Sequence, residues 1–155
     1  MPVWVMTVHY VLATADDLPT LLALSQEFYA LEELHFDATQ APQTLLTFLE
    51  NEHFGRLWLI WVDTQVAGYV TLTFGYSLEY GGVDAFVDEI YLRPAFRHQG
   101  IGTQTFLFVE TKSRELGVKA LHLEVLADNE KAYALYTRLG YQNRASRLLH
   151  KRLRD

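Results

Sequence analysis

The residues best suited to chemistry in this chain surround two glycines, in the run Arg97-His98-Gln99-Gly100-Ile101-Gly102-Thr103. An apolar run rich in strand-forming residues precedes it, and apolar residues with helical spacing follow it. Glycines let the backbone turn sharply and approach a ligand, and the first N–H groups of a helix have no partner within the helix. Because the helix dipole favours anions at that end, this turn predicts a phosphate-binding site.

Two familiar phosphate loops are excluded by the residues themselves. A Walker A loop ends in Gly-Lys-Ser/Thr, whereas Gly102 is followed by Thr103 and Gln104. The dinucleotide-binding fingerprint has a third glycine three residues after its second, and that position is Thr105. The remaining pattern is Arg-x-x-Gly-x-Gly between a strand and a helix.

Two adjacent carboxylates, Asp88 and Glu89, stand in the strand before this turn. Both are candidates for a general base. Successive strand residues point to opposite faces of a sheet, so only one of them can face a given site. The alternative for either residue is a carboxylate paired with a nearby cation at a sheet edge.

Composition narrows the functional class. The 155 residues predict one domain, 1–155, with a substantial core, since half of the residues are hydrophobic. A formal charge of −6 argues against nucleic acid as a partner and fits either a cationic substrate or solubility alone. The absence of cysteine excludes disulfides, zinc–thiolate sites and a cysteine nucleophile. The histidines show no metal-ligand spacing, so no metal is expected.

No apolar stretch approaches the ~18 residues of a membrane span, and the N-terminus lacks the features of a secretory signal. We therefore expect a cytoplasmic protein with no membrane partner.

The hydrophobic patterns predict an alternation of strands and helices that gives an α/β fold with helices on both faces of a mixed sheet. In chain order, the predicted elements are a strand at 3–12, a helix capped by Asp16 or Asp17, a helix at 41–52, strands at 56–62, 66–76 and 83–92, a helix ending near Gly117, a strand at 119–126, a helix from Asp128 or Asn129 to Gly140, and two strand-like pieces between 141 and 154.

A second local signature joins the glycine turn. Asn129 is followed by Ala134-Leu135-Tyr136 and, at the helix exit, by Gly140-Tyr141. Together with Arg-x-x-Gly-x-Gly and the order of elements, it resembles the GNAT superfamily of N-acetyltransferases over residues 8–153. The resemblance implies a mixed, mostly antiparallel sheet splayed between strands 4 and 5. His98 stands where the family usually has glycine, but it keeps its backbone N–H, so we expect the turn to function.

The resemblance implies acetyl-CoA as co-substrate. Backbone groups of the turn would hold its pyrophosphate, with Arg93 and Arg97 adding positive charge, and backbone groups on the preceding strand would pair with the pantetheine arm as an added strand. Asn129 and Tyr136 are the expected cofactor contacts beyond the turn. The predicted cofactor-binding residues on the strand and turn are Ile90, Tyr91, Leu92, Arg97, His98, Gln99, Gly100, Ile101, Gly102 and Thr103.

The family's chemistry is direct acetyl transfer to an amine. A base must take a proton from the acceptor ammonium, and an acid can protonate the departing thiolate. Asp88 matches the family position of the base; Glu89 and a water chain are the alternatives. Tyr136 matches the position of the acid, with Tyr133 as the neighbouring alternative.

The resemblance implies an acceptor side lined by the first two helices, the loop at 77–82 and the tail. Carboxylates with aromatic rings suit an amine. We predict a small primary amine: a polyamine, an amino-acid-like compound or an aminoglycoside-like compound. The alternatives are a protein N-terminus or lysine, and a CoA-binding sensor without turnover. A homodimer paired through terminal strands is also expected. The predicted acceptor-site residues are Phe28, Tyr29, Glu32, Glu33, Tyr76 and Tyr80.

Overall fold

A computed structural model describes residues 1–154, in two compact units, Met1–Leu123 and Glu124–Asp155. The first unit contains a five-stranded sheet in the order β1-β2-β3-β4-β5, antiparallel except for the parallel pair β4 and β5. The mixed, mostly antiparallel α/β fold is thus confirmed. The strands are β1 (Val8–Leu12), β2 (Gly55–Val62), β3 (Gln65–Ser77), β4 (Gly82–Leu92) and β5 (Leu121–His122); the helices are α1 (Leu18–Leu31), α2 (Ala41–Glu50), α3 (Ile101–Glu115) and, in the second unit, α4 (Glu130–Arg138).

Helices cover both faces of the sheet, because alternate strand residues are apolar on both sides. On one face, α1 and α2 pack over a core that includes Leu57, Leu59 and Tyr69. We call this the α1/α2 face. On the other, the Phe108 ring of α3 stacks 4.0 Å from Tyr10 and meets Trp58 edge-on at 5.3 Å. The central strands β2 and β3 are therefore covered by a hydrophobic layer on each face.

Strand β4 contains a bulge at Asp88. Thr71 of β3 is opposite Glu89, but the next residue, Leu72, is opposite Val87, so Asp88 has no partner on β3. A bulge of this kind bends a strand and increases its local twist.

The contact between β4 and β5 is short. Only Ala85 with Leu121 and Phe86 with His122 are paired. From Val87 to Leu92, the edge of β4 that faces away from β3 therefore has no partner strand within Met1–Leu123. This divergence is the splay expected between the fourth and fifth strands.

Two predicted strands are shorter than expected because their partners end. The strand predicted at 3–12 begins only at Val8, which pairs with Val62; the chain then turns at Asp63, so residues 1–6 have nothing to pair with. The strand predicted at 119–126 comprises only Leu121–His122, where β4 runs beside it.

The two strands predicted in the tail are wrong for the part of it that the structure describes. Residues 141–154 contain no strand, and Leu148, Leu149 and Leu153 are 65–87% exposed. Strand-like composition produces a strand only where a neighbouring edge supplies hydrogen bonds and a surface to cover.

Gly68 gives a sharp test of the β3–β4 pairing. A Cβ at this position would lie 1.8 Å from the Tyr91 carbonyl oxygen, so Gly68→Ala must push the two backbones apart. We expect a loss of about 2–3 kcal/mol, the scale of overpacking in a well-packed site. For Gly102→Ala, where no heavy atom lies within 4 Å of the added Cβ, we expect a change within ~1 kcal/mol. Urea denaturation of both variants measures the difference, and equal stabilities would contradict the pairing.

Candidate active site

The predicted phosphate turn has the backbone that the sequence suggested. His98 and Gly100 have positive φ angles of 60° and 79°, and α3 begins at the next residue, Ile101. The first helical hydrogen bond in this turn is donated by Gln104 to the Gly100 carbonyl, 3.1 Å. The Arg97 N–H already donates to the Pro94 carbonyl at 3.3 Å, so the N–H groups that the turn can offer are those of residues 98–103. The space around Gly102 is open. The turn can therefore accept an anion such as a pyrophosphate.

His98, which stands where the family usually has glycine, has a left-handed backbone conformation. Glycine reaches a positive φ at no steric cost, whereas histidine does so less readily. His98 nevertheless adopts this backbone conformation here and keeps its N–H.

The two arginines near the turn have different partners. Arg97 donates from Nε to the Leu92 carbonyl at 2.8 Å, and its guanidinium lies over the Tyr91 ring. Arg93 makes two hydrogen bonds to Glu27 of α1, at 3.0 and 3.1 Å, and holds the pKa of that carboxyl below its usual value. Arg93 thus ties the end of β4 to α1, and only Arg97 adjoins the turn.

The unpaired edge of β4 offers backbone groups beside the turn. The N–H of Arg93 donates to Ala67 of β3 at 2.8 Å, and backbone direction alternates along an antiparallel strand. Tyr91 therefore directs its backbone groups to β3, whereas Ile90 and Leu92 direct theirs to the open edge. Of the three residues predicted to pair with a pantetheine arm, Ile90 and Leu92 thus have their backbone groups on the open edge, and Tyr91 does not. The Leu92 carbonyl there also accepts the hydrogen bond from Arg97 Nε.

Glu89 is the carboxylate that the fold surrounds with donors. It accepts hydrogen bonds from the Tyr29 hydroxyl at 2.7 Å and the Tyr69 hydroxyl at 2.8 Å. Its backbone N–H donates to Thr71 Oγ1 at 2.8 Å. Burial raises the pKa of Glu89, and the two tyrosine hydrogen bonds oppose that rise. The same burial, together with the carboxylate, raises the pKa of both tyrosines, so they stay protonated donors.

Asp88, the other base candidate, is the bulged residue and is exposed. Partial desolvation of its carboxyl still raises its pKa above the ordinary value. Because Asp88 is adjacent to Glu89, the two negative charges also disfavour each other, which adds to the raised pKa of Glu89.

The predicted acceptor-site residues separate into four groups. Phe28 and Tyr29 lie at Glu89, where the Phe28 ring meets Tyr69 edge-on. Tyr80, in the β3–β4 loop, lies 5.6 Å from the His122 ring. Tyr76 is 73% exposed and lies two and four residues from Phe74 and Leu72 along β3, so it shares their face of the sheet, opposite to that of Glu89. The remaining two, at the exposed end of α1, are Glu32 and Glu33.

Sequence reasoning missed Tyr69, Thr71, Asp84 and His122. Tyr69 and Thr71 read as ordinary strand residues, and only the cross-strand register places them beside Glu89. Asp84 and His122 form a 2.9 Å pair across β4 and β5. The alternation of residues along β3 could have indicated that Tyr69 and Thr71 share one face. No local sequence pattern indicates the contact between Asp84 and His122.

The second unit carries the other predicted site residues. Asn129 caps α4, because its Oδ1 accepts the Ala132 N–H at 3.1 Å. Tyr136 is half-buried in α4, and its ring lies 6.2 Å from that of Tyr141.

Neither a membrane-spanning helix nor a cluster of metal-ligating side chains occurs among residues 1–154. The helices there are too short or too polar to cross a bilayer. No three His, Asp or Glu side chains in the described chain come together as a metal site.

Comparisons with known proteins agree with this geometry. Residues 20–141 match the model of the Acetyltransferase (GNAT) family. The chain is 31% identical over 149 residues to an uncharacterized N-acetyltransferase of Lactobacillus delbrueckii subsp. lactis, covering 86% of this chain and 83% of the relative. It is 28% identical over 139 residues to the thialysine N-epsilon-acetyltransferase of Mus musculus, covering 84% and 82%.

A solved structure is similarly close. An integron cassette protein from the mobile metagenome of Cole Harbour Salt Marsh superposes with a TM-score of 0.83 and 32% identity, covering 94% of this chain and 91% of that one. With a family match over most of the chain, this protein belongs to the GNAT family of acetyltransferases.

Proposed function

We propose that this protein transfers an acetyl group from acetyl-CoA directly to the primary amine of a small molecule. The observation that carries the proposal is the Glu89 carboxylate, held by the hydroxyls of Tyr29 and Tyr69 on the strand that leads into the phosphate turn. Strand β4 thus carries a proton-accepting group and leads into the proposed phosphate-binding turn.

The cofactor side rests on the turn and the open edge. Backbone N–H groups at the start of α3 would hold the pyrophosphate, and Ile90 and Leu92 would pair with the pantetheine arm. Bound acetyl-CoA supplies a thioester whose carbonyl carbon an amine can attack. The open edge of β4 that would hold this arm extends from Leu92, next to the turn, to the bulge at Asp88.

Glu89 is the proposed base. An alkylammonium is mostly charged at pH 7 and must lose a proton before it can attack. An ionised carboxylate has about four acceptor positions, and the two tyrosines use two of them, so Glu89 can still accept a proton from an acceptor amine. Asp88 and a water chain are the alternatives. Tyr136 is the proposed acid for the departing thiolate, on the family resemblance alone.

A small amine is favoured over a protein substrate by two observations. A relative that aligns over most of this chain is named for acetylating thialysine, a small amine. The segment from Tyr76 to Glu89 contains four carboxylates and no lysine or arginine, which favours a cationic acceptor. A protein N-terminus or lysine, and a CoA sensor without turnover, are outcomes of the test below.

Two further predictions from the sequence have less support. The homodimer rested on terminal strands that residues 141–154 do not form. Cytoplasmic localisation rests on the sequence alone.

The test is a panel of small amines assayed by release of free thiol from acetyl-CoA. We expect turnover with at least one small primary amine and less with peptides that bear a free N-terminus or a lysine. Turnover only with peptides would favour the protein-modifying alternative. Binding of CoA without turnover on any amine would favour the sensor.

If the turn before α3 holds the pyrophosphate, a bulky substitution in it should abolish cofactor binding. A Cβ added at Gly102 would have no heavy atom of another part of the chain within 4 Å, so Gly102→Val should fold, while its branched side chain would obstruct a bound pyrophosphate. A ligand at 100 times its Kd stabilises a protein by about 2.7 kcal/mol, so CoA should raise the Tm of the wild type and not of this variant. Thr111→Val, farther along α3, is the control and should keep the full shift. A normal shift in Gly102→Val would show that the turn does not hold CoA.

If Glu89 is the base, replacing each of the two carboxylates by its uncharged amide should affect kcat/KM differently. Glu89→Gln should lower kcat/KM by ~10²–10⁴-fold, the usual contribution of a general base, while Asp88→Asn has a much smaller effect. A carboxylate base works only when ionised, so kcat/KM should fall as the pH drops through the raised pKa of Glu89.

Tyr69→Phe extends this test, because it removes a hydrogen bond that lowers the pKa of Glu89. The acidic limb of the pH profile should therefore move to higher pH in that variant. A greater loss in Asp88→Asn than in Glu89→Gln would make Asp88 the base.

A further inference from the structure

A carboxylate–imidazole pair lies where β4 and β5 separate. Asp84 Oδ2 and His122 Nε2 are 2.9 Å apart, and both side chains are largely buried, at 17% and 21% exposure. The His122 ring also lies 4.9 Å from the Phe86 ring. His122 forms the last pair between the two strands, and the open edge of β4 begins immediately after it.

The bulge places this pair on the same face as Glu89. Along β3, Thr71, Thr73 and Gly75 point to one face of the sheet. Their partners on β4 are Glu89, Phe86 and Asp84. His122 is paired with Phe86 and contacts its ring, so it shares that face.

The spacing allows one small molecule to reach both groups. Glu89 is paired with Thr71 of β3, and His122 is paired with Phe86, which is opposite Thr73. Glu89 and His122 are therefore two residues apart along the strand direction, roughly 7 Å, and one strand apart across the sheet, ~4.8 Å. The two backbones are then about 8–9 Å apart. Two side chains of this length can both approach one atom between them. By the argument above, an arm paired with β4 would present its reactive end here.

The chemistry of amide formation supplies a need for two proton acceptors. An alkylammonium loses one proton before its nitrogen attacks the thioester carbon. Once the carbon–nitrogen bond forms, the nitrogen is again positively charged and must lose a second proton as the carbon–sulfur bond breaks. The departing sulfur takes up one proton, so the overall reaction releases one. Glu89 accounts for only the first of the two protons.

The Asp84 contact prepares His122 to accept a proton. An ionised carboxylate can only accept a hydrogen bond, so Nε2 carries the hydrogen and the neutral ring has its lone pair on Nδ1. No described residue forms a hydrogen bond with Nδ1. Gly75 leaves room for the carboxylate, since a Cβ there would lie 2.8 Å from Asp84 Oδ1.

We propose that His122, oriented by Asp84, accepts the second proton from the acceptor nitrogen as the new carbon–nitrogen bond forms. This inference rests on the proposed acetyl transfer and adds a catalytic residue to it. Asp84 is then a positioning residue, which fixes the tautomer and the orientation of the ring.

The same pair could instead serve only to fasten the two-residue strand β5 to β4. That structural role predicts lost stability in variants of either residue. It predicts no chemical requirement for an imidazole.

The test is chemical rescue of His122→Ala with free imidazole. We expect kcat to fall by ~10²-fold or more, and added imidazole to restore a substantial part of it, saturably, because the vacated space keeps Asp84 and Phe86 to orient the added ring. His9→Ala is the control: His9 stacks on Trp61 at the far edge of the sheet, so its removal and added imidazole should not change kcat. Asp84→Asn added to His122→Ala should weaken the rescue.

His122→Gln guards against a folding defect, since its amide can still donate to Asp84 but cannot accept a proton at neutral pH. A wild-type kcat in this variant, or loss in His122→Ala that imidazole does not restore, would overturn the role of His122. Those results differ from failure of the proposed function, in which the wild type itself binds CoA and acetylates no amine.

Discussion

Strand β4 is paired with β3 along nearly its whole length but with β5 at only two positions. A strand with one unpaired edge has backbone groups that require partners, and such edges are usually blunted or covered. Here the open edge leads directly into the turn before α3, and the first N–H groups of α3 have no partner within that helix. The backbone groups of the open edge and those at the start of α3 lie along a single extended path, which suits a ligand with an anionic end and an amide-containing arm. The separation of two strands therefore determines where a CoA molecule could bind.

The bulge at Asp88 determines what faces that path. Without it, regular alternation from Tyr91 would place Val87 on the same face as Glu89, and Asp84 and Phe86 on the other. With one extra residue, Val87 turns into the layer beneath α3, and Asp84 and Phe86 join Glu89. The α1/α2 face thereby gathers two carboxylates and an imidazole beside the open edge.

Burying carboxylates in such a place is costly, and the structure offsets the cost with matched donors. Desolvation disfavours the charged form of Glu89, whereas each hydrogen bond to an ionised acceptor contributes about 1.5–3 kcal/mol. Tyr29 comes from α1 and Tyr69 from β3, so the carboxylate also links helix to sheet. Arg93, at the end of β4, also links the sheet to α1, because its guanidinium donates two hydrogen bonds to the Glu27 carboxylate. The same polar contacts that position the site thus contribute to the packing of α1.

The parts of this protein that depend on local chain chemistry could be predicted from sequence. The glycine turn, the strand before it and the helix after it follow from residues close together in the chain, as does the cap at Asn129. The tail and the N-terminal residues were predicted as strands on composition alone, and this failed because pairing requires an edge that only the whole sheet supplies. The face occupied by Glu89 depends on a bulge that is defined by register against β3, and the Asp84–His122 contact joins residues 38 apart. The sequence therefore predicted a phosphate-binding turn and a resemblance to the acetyltransferases, and the family model confirms the family. Only the tertiary structure decided which side chains meet beside that turn, because strand register is a property of two strands together.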